Sequence, residues 1–201
     1  MTKGQILENS DFCQSINDIF SKYKPQTVLE IGTWKGMGST KCIINNVIEY
    51  NTKTFISIES NLTFHTEAQI NLTNYLNYVH LLYGKIIEIN DINSFVSTQE
   101  LNSNEKIWLQ EDLINISKAP NVLSSIPENI DFLLLDGGEF STYSEWLKLK
   151  DRSKIIALDD TSTTKCRKIK QEVLADQNSP YKILKDSNER NGFMILENNY
   201  S

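Results

Sequence analysis

The chain has 201 residues, of which 39% are hydrophobic and 23% are charged. This length suits one full domain with a sizeable core, so we treat residues 1–201 as a single domain. The formal net charge of −6 at pH 7 argues against nucleic-acid-binding and membrane-binding proteins, because no broad positive surface attracts phosphates.

The N-terminus and the cysteines bear on the cellular compartment. The N-terminus has no basic segment followed by an apolar stretch, and no window approaches the roughly 20 apolar residues that span a bilayer. Cys13, Cys42 and Cys166 have the spacing of neither a metal site nor a disulfide framework, so we expect all three to be reduced. These features predict a cytoplasmic protein.

Helical and strand-like patterns then alternate along the chain. Apolar residues at helical spacing over 10–23 predict an amphipathic first helix within an N-terminal segment, 1–24. Short apolar runs, typical of strands buried on both faces, follow at 27–31, 54–58, 78–83, 131–135 and 154–158. Strands that alternate with helices predict an α/β fold with a mostly parallel sheet.

Two segments depart from this alternation. The tail 181–197 holds two strand-like runs around Gly192 with no helix between them, which predicts an antiparallel hairpin. Dinucleotide-binding dehydrogenases have six parallel strands instead. Residues 84–130 have about twice the length that one crossover helix needs, so we expect part of this segment to cover the active site.

The most informative motif is VLEIGTWKGMGST, residues 28–40. A buried strand carries Glu30 near its end, and glycines follow where a chain turns sharply or a ligand approaches bare backbone. An acid two residues before the first glycine suits a cationic ligand better than a pyrophosphate. The residues expected to bind this ligand are Glu30, Gly32, Thr33, Trp34, Gly36, Gly38 and Ser39.

A second acid ends the next strand. Glu59, followed by Ser60, lies about 30 residues after Glu30. An acid at this strand tip can accept hydrogen bonds from both hydroxyls of a ribose, as in nucleotide cofactor sites. The two acids together favour a nucleoside that carries a positive charge.

Three more carboxylates are expected at the same edge of the sheet. Asp136 ends the fourth strand, and Asp159 and Asp160 end the fifth. Three crowded carboxylates repel one another unless a cation lies among them, and oxygen ligands suit Mg²⁺ or Mn²⁺. The alternative is that Asp136 alone contacts a ligand while Asp159 and Asp160 cap the next helix.

The remaining polar residues of interest either lie near the predicted site or have a structural role. Glu139 lies on a loop at the predicted crevice, and Thr142 with Glu145 forms a capping-box pattern for the next helix. His65 follows Glu59 closely enough to reach the site, whereas His80 falls within a strand and is expected in the core. The basic residues of 165–170 are interpreted as the solvated face of a helix.

These motifs resemble the class I S-adenosylmethionine-dependent methyltransferases over residues 25–197. The resemblance implies a Rossmann-like three-layer sandwich with a seven-stranded sheet. The glycine spacing at Gly32, Gly36 and Gly38 is similar to that of the branch containing catechol and macrolide-sugar O-methyltransferases. In that branch acids at the ends of strands four and five hold a divalent metal, and Asp136, Asp159 and Asp160 occupy these positions here. The product of such a reaction would be S-adenosylhomocysteine.

The resemblance also implies a catalytic base at Glu139, where the branch has lysine or histidine, and makes Asp136 a second catalytic residue. It implies a hydroxyl acceptor, and the acidic doublet favours a sugar or glycan over a catechol-like small molecule. Metal-independent methyl transfer and non-catalytic cofactor binding remain alternatives. A short-chain dehydrogenase would need a Tyr-x-x-x-Lys on a helix, and the match at Tyr181 and Lys185 falls in a predicted strand.

Overall fold

The computed structural model of the protein describes residue 6 and residues 8–199. In this part of the chain seven strands form one sheet. They are β1 (Thr27–Ile31), β2 (Thr54–Glu59), β3 (His80–Tyr83), β4 (Ile130–Leu135), β5 (Ser153–Asp159), β6 (Tyr181–Ser187) and β7 (Phe193–Asn198). The α-helices are α1 (Asp11–Tyr23), α2 (Ser39–Tyr50), α3 (Leu62–Asn71), α4 (Ile89–Val96), α5 (Ser103–Lys118), α6 (Thr142–Leu149) and α7 (Thr164–Ala175).

The strand order is β3-β2-β1-β4-β5-β7-β6. Strands β1 to β5 are parallel, and β7 is antiparallel to both of its neighbours. The predicted α/β sandwich with a C-terminal antiparallel hairpin is therefore confirmed. The order reverses between β1 and β4, and ligands of such sheets bind at the carboxyl ends of the strands beside this point.

Alternating strand residues supply two hydrophobic cores, because successive side chains point to opposite faces of a sheet. Leu29 and Leu133 belong to the core that α4, α5, α6 and α7 cover. Val28 and Phe132 belong to the core that α1 and α2 cover. The three layers explain why the strand sequences are apolar on both faces. None of the described helices has the length and apolar character needed to cross a bilayer.

The observed strands differ slightly from the predicted ones. The polar tips Glu59 and Asp159 belong to β2 and β5, and β3 begins at His80 rather than at residue 78. His80 is exposed, so the expectation of a core histidine is wrong. The cause is the position of β3 at the edge of the sheet, where the first residue of the strand remains in solvent.

The first helix, α1, begins after Ser10, whose side chain accepts a hydrogen bond from the backbone N–H of Cys13. Cys13 and Cys42 form a disulfide between α1 and α2. The expectation of three reduced cysteines is therefore wrong for these two, whereas Cys166 is free and buried. Their spacing hides the pair because the two helices meet only in the fold. Since disulfides persist mainly in oxidising compartments, the bond counts against a cytoplasmic protein.

Candidate active site

The glycine loop between β1 and α2 is fixed by a close backbone contact. Gly32 has φ +99°, and its N–H donates to the Ile58 carbonyl at 2.9 Å. A Cβ at Gly32 would lie 2.0 Å from the backbone oxygen of Asp136. The glycine is therefore required because the tip of β4 passes directly beside it, and this contact sets the position of Asp136.

Glu30 holds the start of α2, which follows the glycine loop, against β2. Its side chain is fully buried and accepts hydrogen bonds from the hydroxyls of Ser39, Thr40 and Ser57 at 2.6–2.8 Å. Burial raises the pKa of Glu30 to about 7, although these hydroxyls oppose the shift. The sequence predicts Glu30 as a cofactor ligand, but its two oxygens bind the start of α2 and the middle of β2.

Glu59 lies at the tip of β2 with its carboxylate held on both oxygens. One oxygen accepts the backbone N–H of Trp34 and the other that of Asn61, each at 2.7 Å. Trp34 has a positive φ of 48°, so the loop bends to bring its N–H to the carboxylate. Burial raises the pKa of Glu59 to about 7. The side chain is thereby oriented before any ligand arrives.

Two cavities lie at the carboxyl edge of the sheet, and both are lined by Gly32, Trp34 and Asp136. The first, which we call the donor cavity, has a volume of about 190 Å³ and is also lined by Glu59, Ser60 and Asn61. The second, which we call the acceptor cavity, has a volume of about 300 Å³. Together they have the size of a small-molecule site.

Helix α5 closes the donor cavity. Asp112 and Asn115 line it, and the Asp112 carboxylate accepts the backbone N–H of Phe140 at 2.7 Å. Burial raises the pKa of Asp112 to about 6. Asn115 accepts a hydrogen bond from the Asn61 side chain at 3.3 Å. The helix is thus attached to the segments that follow β2 and β4.

Glu145, on α6, is one of the residues that line the donor cavity. Its side chain is buried, and its Oε2 atom has no hydrogen-bond partner among the described residues. Burial raises the pKa of Glu145 to about 8. The sequence assigns Glu145 to a capping box with Thr142, but α6 has Ser141 as its N-cap and no side-chain cap. Glu145 instead faces Gly137, where a Cβ would lie 2.8 Å from Oε2.

The acceptor cavity brings together the predicted acidic cluster. Asp136, Asp159 and Asp160 each offer a carboxylate oxygen, and these oxygens lie within 4.8 Å of one another. The cluster also contains Lys165 from the first turn of α7. Its Nζ atom lies 2.9 Å from Asp136 Oδ1 and 2.7 Å from Asp160 Oδ2. Lys165 is buried, so its interpretation as part of a solvated helix face is wrong.

A second cation approaches the cluster from the loop before β7. Arg190 lies 3.3 Å from Asp159 Oδ2 and 3.5 Å from Asp160 Oδ1. The Asn191 side chain donates to Asp160 Oδ1 at 3.0 Å. Burial, and to a smaller extent the negative charge of Asp136, raises the pKa of Asp159 to about 7. Burial opposes the charge of Lys165, yet Asp136 and Asp160 raise its pKa well above the ordinary value.

Three predicted site residues, Glu30, Gly36 and Glu139, line neither cavity, and neither does His65. Glu139 accepts the backbone N–H of Lys165 at 3.2 Å, so its carboxylate contacts the first turn of α7. His65 is buried with its ring beside Tyr83 and its Nε2 atom 3.5 Å from the Leu81 carbonyl. These contacts direct the side chains of Glu139 and His65 toward neighbouring elements.

No protein-family model and no curated protein matches the chain. Solved structures do match. A Podospora anserina methyltransferase bound to S-adenosylhomocysteine has a TM-score of 0.61 at 12% identity, over 92% of this chain and 77% of that chain. The chain has a methyltransferase fold.

Two O-methyltransferases have the same fold. The Bacillus cereus enzyme, in complex with S-adenosylhomocysteine, has a TM-score of 0.59 at 10% identity, over 96% of this chain and 84% of that chain. TomG of Streptomyces achromogenes, involved in tomaymycin synthesis and bound to S-adenosylmethionine, has a TM-score of 0.58 at 10% identity, over 96% and 81%. Tyr181 and Lys185 lie on strand β6, so they do not form the helical Tyr-x-x-x-Lys that a short-chain dehydrogenase needs.

Proposed function

We propose that the protein is an S-adenosylmethionine-dependent O-methyltransferase that acts on a hydroxyl of a sugar or glycan. The methyl group would pass from the sulfonium to the acceptor oxygen: the S–C bond breaks, the O–C bond forms, and S-adenosylhomocysteine leaves. The donor carries its own leaving group, so the protein mainly aligns the two reactants.

The observation that carries this proposal is the preoriented carboxylate of Glu59 in the donor cavity. Backbone N–H groups of Trp34 and Asn61 fix its two oxygens, whose remaining lone pairs can accept from ribose hydroxyls. The lining of this cavity includes one ammonium, Lys85, and five carboxyl groups: Glu59, Glu111, Asp112, Asp136 and Glu145. Such a lining favours a ligand with a sulfonium and an α-ammonium group.

A sugar acceptor is supported by the acceptor cavity. Apart from Ile6 and Trp34, its lining consists of glycines and polar or charged residues. Carboxylates accept hydrogen bonds from hydroxyl groups, and a polyhydroxylated ring offers several. A catechol ring would require more apolar contact than this lining offers. The net charge of −6 further favours a small molecule or glycan over a nucleic acid.

The metal site predicted from the sequence already contains a positive charge of the protein itself, the ammonium of Lys165. The spacing of Asp136, Asp159 and Asp160 suits Mg²⁺ or Mn²⁺. However, the Lys165 ammonium already contacts oxygens of Asp136 and Asp160. With Lys165 in this position the residues do not fit a metal, so the proposed methyl transfer uses none.

The proton of the acceptor hydroxyl needs a base. The sequence predicts Glu139 for this role, but Asp159 lines the acceptor cavity and Glu139 does not. We therefore propose Asp159 as the group that accepts the proton. The Asp159→Asn variant should lower kcat more than Glu139→Gln does. A larger loss of kcat in Glu139→Gln would instead identify Glu139 as the base.

Calorimetry with S-adenosylhomocysteine tests the proposed function. The wild-type protein should bind one equivalent, and Glu59→Gln should weaken binding about 10- to 100-fold, the worth of charge-assisted hydrogen bonds to the ribose. Glu128→Gln, at a side chain that is 92% exposed, is the matched control and should bind normally. A wild-type protein without affinity would refute the proposal.

The acceptor class needs a separate experiment. Radiolabelled S-adenosylmethionine should transfer its methyl group to free sugars, nucleotide sugars or oligosaccharides in preference to catechols. Labelling of catechols alone would refute the sugar assignment and leave methyl transfer standing. Cofactor binding with no transfer to any acceptor class would instead favour a non-catalytic module.

A further inference from the structure

The acidic cluster of the acceptor cavity receives a cation from its own chain. Lys165 is the second residue of α7, and its side chain is only 10% exposed. Its ammonium bridges Asp136, at the tip of β4, and Asp160, just after β5. We propose that Lys165 takes the place of the divalent cation and serves as the fixed positive charge of a metal-independent acceptor site.

The charge of the cluster supports this assignment. Even with Asp136, Asp159 and Asp160 all ionised, their three negative charges face two positive ones, from Lys165 and Arg190. One negative charge remains, which is too little to balance a dication. Without Lys165 two negative charges would remain, which would balance the two positive charges of a divalent metal ion. The lysine therefore decides between the two kinds of site.

The contacts of the ammonium lead to the same conclusion. A metal would use the carboxylate oxygens that Lys165 occupies, and it would lie close to a like charge. An ammonium has three N–H donors, and Lys165 directs two of them, one at Asp136 and one at Asp160, from within the acceptor cavity. In this proposal the third donor contacts the acceptor oxygen. That donor would stabilise the negative charge that develops as the hydroxyl loses its proton.

This inference rests on the proposed function only for the role of the acceptor oxygen. The exclusion of metal follows from the cluster alone and can be measured without turnover. Lys168 provides a matched control on the same helix, because its ammonium lies 4.2 Å from the centre of the Tyr143 ring. Removing either lysine changes the net charge of the protein equally.

Manganese binding, followed by electron paramagnetic resonance, tests the inference. Wild-type protein and Lys168→Ala should bind no stoichiometric Mn²⁺. Lys165→Ala should bind one equivalent, about tenfold or more tightly than wild type, because it restores an unbalanced carboxylate cluster. Adding Asp160→Asn to Lys165→Ala should abolish this gain. Thermal unfolding of each variant verifies that it is folded.

Stoichiometric Mn²⁺ binding by the wild-type protein, lost in Asp160→Asn, would overturn the inference. A folded Lys165→Ala that gains no Mn²⁺ would overturn it as well. If Lys165→Ala does not fold, the wild-type protein decides alone: no Mn²⁺ binding supports the inference and stoichiometric binding refutes it. Calorimetry with S-adenosylhomocysteine on the same samples tests the methyltransferase proposal independently of the metal result.

Discussion

The carboxylate of Asp112, on α5, accepts the backbone N–H of Phe140, which follows β4, at 2.7 Å. The helix is attached at its first turn as well, where Glu105 accepts the hydroxyl of Thr164 at 2.8 Å. With Asn115 bonded to Asn61, α5 contacts the segments after β2, β4 and β5. The helix thus lies across the carboxyl edge and closes the donor cavity.

Removal of the Asp112 acceptor should destabilise the protein. Phe140 is fully buried, so Asp112→Ala leaves its N–H unpaired at a cost of about 1–3 kcal/mol. Asp112→Asn keeps an oxygen acceptor and should lose less. Urea denaturation measures both free energies of unfolding. Equal stability of Asp112→Ala and wild type would show that the contact does not hold α5 in solution.

Gly32→Ala should be much more damaging than Gly36→Ala. Both glycines have positive φ, but the new Cβ at Gly32 would meet the backbone of Asp136, whereas that at Gly36 would meet the tip of Leu72. A side-chain tip can move and a strand backbone cannot, so we expect Gly32→Ala to cost about 3 kcal/mol or more. Thermal unfolding compares the two variants, and a smaller loss at Gly32 would contradict the contact.

Glu145 should make stability fall as pH rises. Its pKa is about 8 in the folded protein and 4.5 is its ordinary value, so between these pH values the folded state holds a proton that the unfolded state has released. Each pKa unit corresponds to about 1.4 kcal/mol. Glu145→Gln should therefore become several kcal/mol more stable relative to wild type between pH 4.5 and pH 8.

Urea denaturation at pH 5, 6.5 and 8 measures the Glu145 effect as the difference between variant and wild type at each pH. Glu128→Gln, at an exposed side chain, is the control and should follow the wild-type curve. A constant difference between Glu145→Gln and wild type would mean that Glu145 titrates near its ordinary pKa in the folded protein.

Reduction of the Cys13–Cys42 disulfide should destabilise the fold. The bond closes a loop with a sequence separation of 29, for which loop-closure entropy gives about 3–4 kcal/mol. Dithiothreitol acting on the wild type and the double substitution Cys13→Ser, Cys42→Ser should cause similar losses. Wild-type stability that does not respond to dithiothreitol would show that the two cysteines are unpaired in solution.

The fold follows from patterns that the sequence displays. Strands buried on both faces are apolar throughout, and a hairpin without an intervening helix must be antiparallel. Positions in the sheet are less visible: nothing local distinguishes an edge strand such as β3, so the exposure of His80 could not be predicted. Likewise the distance between Cys13 and Cys42 depends on how α1 and α2 pack, which their spacing does not encode.

Three residues that line the two cavities are not among the site residues predicted from the sequence, and they share one pattern. Each polar residue precedes a buried apolar residue by four positions on a helix. The pairs are Asp112 with Ile116, Glu145 with Leu149, and Lys165 with Ile169. Residues four apart lie on the same helix face, so all three side chains belong to inward faces. Lys165 stands among other basic residues at 165–170, which are typical of a solvated helix face, so its spacing from Ile169 is not conspicuous in the sequence.

Asp136 lines both cavities, and this shared wall has a thermodynamic consequence. A donor that changes the orientation or charge of Asp136 also changes the surface offered to the acceptor. By linkage, the acceptor must then alter the affinity of the donor by the same factor. Titrations with one ligand alone will therefore differ from titrations in which the other ligand is saturating, and Asp136 variants will change this cooperativity along with both affinities.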